Sequence, residues 1–126
     1  MNINEICVGD WVQDRKGNTA QIIGIELWSG AYEVNVRING GDVGLTPASS
    51  CDPIPLTPEI LEKNGFEIAD EFADCQMYGS PECSIVHTKG TMRYRLEAPQ
   101  ASVVCWNVHQ LQHALRLAGI EKEIEV

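Results

Sequence analysis

TAQIIGIELWSGAYEVNVRI, Thr19–Ile38, reads as two strands and the turn that joins them. In its second half Tyr32, Val34, Val36 and Ile38 alternate with polar neighbours, the period of two that places one strand face on a core. Its first half, TAQIIGIEL, is an apolar run of strand length. Ser29-Gly30-Ala31 forms the turn, with Trp28 and Tyr32 flanking it.

Outward from that hairpin the punctuation stays dense. ICVGDWV sets Val8 and Val12 around a Gly-Asp turn, DRKGN is a polar turn containing Gly17, and NGGD turns the chain again after Ile38. Several short strands with tight turns predict a small curled sheet or barrel over residues 1–56. The pattern VGDWV…KGN…AQIIGI looks like an SH3-like barrel, a fold that serves many unrelated functions and so implies no activity.

A second segment, 57–126, follows a proline-rich connector, CDPIPLTPEILEKNGF. Thr57 is a good N-cap, Pro58 suits the first helical position and Gly65 after Asn64 suits a stop, so a short helix is expected over 58–64 with Ile60 and Leu61 inward. Residues 66–80 fit either a helix, through Ile68, Phe72 and Cys75, or a strand with a loop. ECSIVHT and TMRYRLE read as strands turning at Lys89-Gly90, and ASVVCWN as a third strand after Pro99. From Asn107 onward, Val108, Leu111, Ala114, Leu115 and Ala118 keep the rhythm of a helix with one buried stripe, ended by Gly119. IEKEIEV leaves as a tail that could add a strand. The expected class is α+β: an SH3-like N-terminal barrel, then a short antiparallel sheet packed on a C-terminal helix.

Composition narrows function by exclusion. The chain has 126 residues, 44% of them apolar, and a net charge of −9 from 18 acids and 9 bases. That sign repels a phosphate backbone unless bases cluster, and the one loose cluster is Arg93, Arg95 and Lys89, so direct nucleic-acid binding is disfavoured. No run reaches the roughly 20 apolar residues of a membrane span, and MNINEICVGD has neither the basic nor the apolar part of a secretory signal. A cytoplasmic setting is expected, with no membrane partner. Five cysteines without a C-x-x-C pair are read as free thiols, Cys105 among them as a small hydrophobe inside SVVCWNV.

No motif identifies a reaction. His109 and His113 stand four apart, a spacing that could chelate a divalent ion, but a site needs at least a third ligand. His87 or Cys105 could supply one without diagnostic spacing, and Gln110 stands where a zinc hydrolase carries glutamate. Both histidines lie off the apolar stripe, which predicts a surface or subunit contact; no metal or other cofactor is expected. Cys83 with His87, and Cys105 with His109, match no known nucleophile signature. Glu67, Asp70, Glu71 and Asp74 form an acidic run without the glycine of a calcium loop, and a solvated face explains them. NGGDVG lacks the lysine and helix of a phosphate loop. The remaining candidates are Trp28 and Tyr32, as rings that stack a flat ligand, and Arg93 and Arg95, which share a strand face and could meet phosphate.

Two segments add a resemblance. PIPLTPEILEKNGF (Pro53–Phe66) and VHQLQHALRLAGIEKEIEV (Val108–Val126) resemble segments of small proteins from phages and integrated elements of anaerobic gut bacteria, whose N-terminal part begins much like VGDWV. Together they cover about a third of the chain by residue count, and residues 67–105 depart from the pattern. The resemblance implies a phage or mobile-element setting in the host cytoplasm. It also implies a counter-defence role, in which a homo-oligomer traps a nucleotide-like immune signal without cleaving it. The expectation is thus a non-enzymatic binding protein that sequesters such a ligand through Trp28, Tyr32, Arg93 and Arg95. The alternative is an acidic module that inhibits a host protein, and a metal-dependent hydrolase using His109 and His113 ranks behind both.

Overall fold

Alternating Val34 and Val36 meet Ile22 and Ala20 because the hairpin pairs Val36 with Ile22 and Ile38 with Ala20. A computed structural model describes all 126 residues as a mostly-β protein with two five-stranded antiparallel sheets and a C-terminal helix. It divides into two compact units, Met1–Ile54 and Pro55–Val126.

In the first unit β1 (Trp11–Gln13), β2 (Thr19–Trp28), β3 (Ala31–Ile38), β4 (Val43–Pro47) and β5 (Asp52–Pro53) pair in the order β4-β3-β2-β1-β5. The expected closed barrel is not detected: β4 and β5 stand at opposite ends of that order. One core gathers Ile6, Val12, Ala20, Ile22, Val34 and Val36. A bulge falls between Ile22 and Gly24, so Ile23 is an extra residue and the face shared with Val34 continues through Ile25.

Asp14 secures the turn after β1. Its Oδ1 accepts from the backbone N–H of Lys16 (2.9 Å) and of Asn18 (2.8 Å), and its Oδ2 from the Asn18 side chain (3.2 Å). Burial raises its pKa, but the Asn18 and Lys16 hydrogen bonds outweigh burial and hold the carboxyl below its ordinary value. A depressed folded-state pKa means stability present above the unfolded value and lost as pH falls through the folded one. Asp14→Asn is therefore expected to cost about 1–2 kcal/mol at neutral pH. It should also flatten part of the acid limb of a urea-midpoint-against-pH curve. A variant curve parallel to the wild type would contradict this.

The second unit carries α1 (Pro58–Lys63), β6 (Glu67–Glu71), β7 (Cys75–Gly79), β8 (Ser84–Thr88), β9 (Tyr94–Ala98), β10 (Ala101–Cys105) and α2 (Val108–Leu117). Its sheet is a plain meander, β10-β9-β8-β7-β6, and α2 lies on β9 and β10. The Thr57 hydroxyl caps α1 by accepting from Ile60 N–H at 3.2 Å. Leu61 is fully buried and Ile60 only half. Residues 66–80, open between helix and strand in the sequence, are the hairpin of β6 and β7. The tail adds no strand, although Ile124 is buried.

Candidate functional site

The β2–β3 hairpin closes on two residues. Ser29 (φ 49°) and Gly30 (φ 81°) both have positive φ, the mirror-image turn whose twist suits a hairpin. Leu27 therefore stands opposite Tyr32, and Trp28 opposite Ala31. Directly opposed residues share a face and neighbours along a strand do not. Trp28 and Tyr32 thus project from opposite faces of the ribbon, which corrects the expectation that the two rings stack one ligand together.

Each ring has its own surroundings. Trp28 Nε1 donates to Glu26 Oε2 at 2.7 Å, and the Asn35 side chain donates to Glu26 Oε1 at 3.2 Å. These bonds, Trp28's first, hold the Glu26 carboxyl below its ordinary pKa. A phosphate near this indole would meet an ionised carboxylate, so the Trp28 face is unsuited to an anionic ligand. Tyr32 shares its face with Leu27, and both are exposed.

Arg93 and Arg95 lie on the face of the second sheet opposite to buried Tyr94 and Leu96. The register sets Met77, Val86, Arg95 and Val104 in one row across β7 to β10. Arg95 has one ion pair, at 3.8 Å to Glu97 on its own strand. Lys89, grouped with these arginines in the sequence, instead pairs with Glu71 at 3.2 Å. The Gln76 amide and then Lys89 lower the Glu71 pKa.

Sequence reading passed over Trp106. It continues the outward alternation of Ser102 and Val104 past buried Cys105, and it is 46% exposed. Arg93 and Trp106 each stand one residue beyond the Tyr94–Cys105 pair that ends the β9–β10 ladder, Trp106 in a bend, so both lie at the same end of that strand pair as Arg95. The available signal was parity: counting by twos from Ser102 reaches Trp106.

The other candidates resolve into structure. His109 is buried, contrary to the surface position expected from the apolar stripe. The reason is that the buried face of α2 is wider than that stripe and takes in His109 and Gln112. The His109 and His113 rings meet edge to face, centroids 5.7 Å apart. Gln110, in the place of a hydrolase glutamate, turns back to accept from the backbone N–H of Trp106 (2.7 Å) and Asn107 (3.2 Å), capping α2.

His87 stacks on Tyr94 at 4.3 Å, with its ring nitrogens against Thr91 O (2.8 Å) and Gln76 Oε1 (3.4 Å). Cys83 instead contacts the Ser80 hydroxyl, at 3.9 Å. Burial pushes the thiol of Cys105 up to about 12 and raises that of Cys83, the opposite of an activated nucleophile. Glu67, Asp70 and Glu71 are exposed along β6, and Asp74 is exposed in the turn beyond it. An open depression of about 510 Å³ beside β6 is lined by Glu67, Ile68 and Pro81 together with the small residues Gly65, Ala69, Gly79 and Ser80.

No family model, curated protein or solved structure matches this chain. Function has to be argued from these side chains.

Proposed function

We propose that this chain is a non-enzymatic binding protein that sequesters a nucleotide-like ligand on the open face of the β6–β10 sheet. The observation that carries the reading is the placement of half-buried Arg93 and Arg95 and exposed Trp106 at one end of β9 and β10 in a chain with only nine basic residues. The guanidinium forks would bind phosphate through charge-assisted hydrogen bonds, and the indole would stack the base. Raised thiol pKa values and the capping role of Gln110 support binding without turnover.

The resemblance of Pro53–Phe66 and Val108–Val126 to phage and mobile-element proteins supplies the setting: a counter-defence protein, homo-oligomeric, in the host cytoplasm. The SH3-like description of the first unit belongs to the same proposal. Its supports are the order β4-β3-β2-β1-β5, the 3-10 turn Ala48–Ser50 before the last short strand, and the bulge in β2.

Calorimetry with cyclic mono- and dinucleotides and ADP-ribose-type nucleotides tests the reading. At least one is expected to bind, and Arg93→Ala or Trp106→Ala should weaken it by about tenfold to a hundredfold. No heat with any of them overturns the proposal.

A second reading has its own support. Trp28, Val43 and Leu45 are exposed on one face of the adjoining strands β2, β3 and β4. Glu26 and Glu33 stand directly opposed among them. Such a surface suits a host protein bearing apolar and basic groups. An identified host protein should then be retained by the wild type and lost with Leu45→Asp, weakening as salt rises. Equal retention by the variant removes this reading.

A further inference from the structure

Four strands stand at sheet edges, and three of them are guarded. In the first unit β4 ends in Pro47, and β5 is two residues long and ends in Pro53. In the second unit β6 carries exposed Glu67, Asp70 and Glu71 and a bulge between Ile68 and Asp70. Charges, prolines, bulges and short length are the devices that stop one edge pairing with another. The remaining edge, β10, reads ASVVC: five residues with no charge, no proline and an unbroken register to β9.

The hydrogen-bonding phase of that edge follows from its hairpin. Ala98 and Ala101 close a two-residue turn at Pro99-Gln100, and such a closing pair is hydrogen-bonded. Bonding then alternates, so Val103 and Cys105 bond inward to β9, while the backbone N–H and C=O of Ser102 and Val104 point away from it. Ser102 and Val104 are the exposed residues of the strand, Val104 at 37%.

We infer that β10 is the interface of a two-fold homodimer, in which two copies pair antiparallel about Val103 and join their sheets into one of ten strands. In that register Ser102 of each copy faces Val104 of the other, outward groups meet outward groups, and all five residues are paired. The contact is self-complementary, as a two-fold axis requires. At a net charge of −9 two copies repel over most of their surface. An uncharged edge is where they can approach without opposing carboxylates, whereas β6 against β6 would set acid against acid. This inference is independent of the ligand proposed above.

Sedimentation equilibrium on the full chain is the test, with Ser102→Lys and Val104→Lys as separate variants. Both side chains stand on the open face, so neither lysine disturbs the core or the bonds to β9. The wild type should be dimeric and both variants monomeric, with unchanged circular dichroism. Val103→Cys adds a readout that does not depend on the lysine variants folding. The 103 pair is non-hydrogen-bonded, with Cα atoms about 4.5 Å apart, within disulfide reach. That variant should give a reducible covalent dimer under mild oxidation, well beyond any formed by the wild type with its own five thiols. A monomeric wild type, a dimer that persists with either lysine folded in place, or no added cross-linking at 103 would each overturn the inference.

Discussion

Leu111→Ala is expected to destabilise the second unit by about 2–5 kcal/mol, the range for deleting a buried leucine and leaving a cavity. Leu111 is 1% exposed on the face of α2 that also buries Val108, Ala114 and Leu115, and α2 lies on β9 and β10. The helix has only ten residues, too short to persist without a surface to pack on. Losing its central anchor should therefore loosen the strands beneath it as well. Leu117, on the same helix, is 74% exposed, and Leu117→Ala should stay within about 0.5 kcal/mol of the wild type. Denaturation midpoints for both variants, with amide exchange on β9 and β10, provide the comparison. Equal effects from the two substitutions would show that α2 is not held as described.

The same helix marks the limit of periodicity. Val108, Leu111, Ala114, Leu115 and Ala118 are legible as a stripe because each is apolar, and the structure buries the first four and half-buries Ala118. The polar His109 reads as outward, yet it is buried, and Gln112 is buried on the same helix. A hydropathy pattern records where apolar residues lie, not how far a neighbouring surface extends around the helix. Residues 66–80 stay open in the sequence for the converse reason: their acids and apolar residues suit either period, and β6 is exposed at all five positions. A strand with no buried face leaves no alternation to read.

The hairpin shows how narrow the margin is at a site. Taking Ser29-Gly30-Ala31 as the turn would set Trp28 opposite Tyr32, on one face. The turn is Ser29-Gly30, and that difference of one residue moves the two rings to opposite faces. Trp28 and Tyr32 are exposed and Arg93 and Arg95 half-buried, and which of them share a face depends on register. Register is set by turn length and by bulges such as Ile23, which composition does not reveal.

Asn64→Ala is expected to cost about 1–3 kcal/mol, because its side chain makes three hydrogen bonds at once. Its Nδ2 donates to Ile60 O and to Glu125 O, both at 2.7 Å, and its Oδ1 accepts from Glu125 N–H at 2.8 Å. The amide thus pairs with the Glu125 backbone much as a neighbouring strand would. Lys63 Nζ donates to Val126 O at 2.9 Å, and Lys122 lies 5.1 Å from the centre of the Phe66 ring. Asn64 and Lys63 thus tie the end of α1 to the C-terminal tail and close the second unit. Asn64→Asp separates hydrogen bonding from size: the carboxylate can still accept from Glu125 N–H but turns an acceptor toward Ile60 O and Glu125 O. It should destabilise at least as much as alanine, measured by urea midpoint, and raise exchange at Glu125. A neutral Asn64→Asp would mean that the tail is held without this clasp. Neither change should alter any affinity for the ligand proposed at Arg93, Arg95 and Trp106, which do not touch Asn64 through any of these bonds.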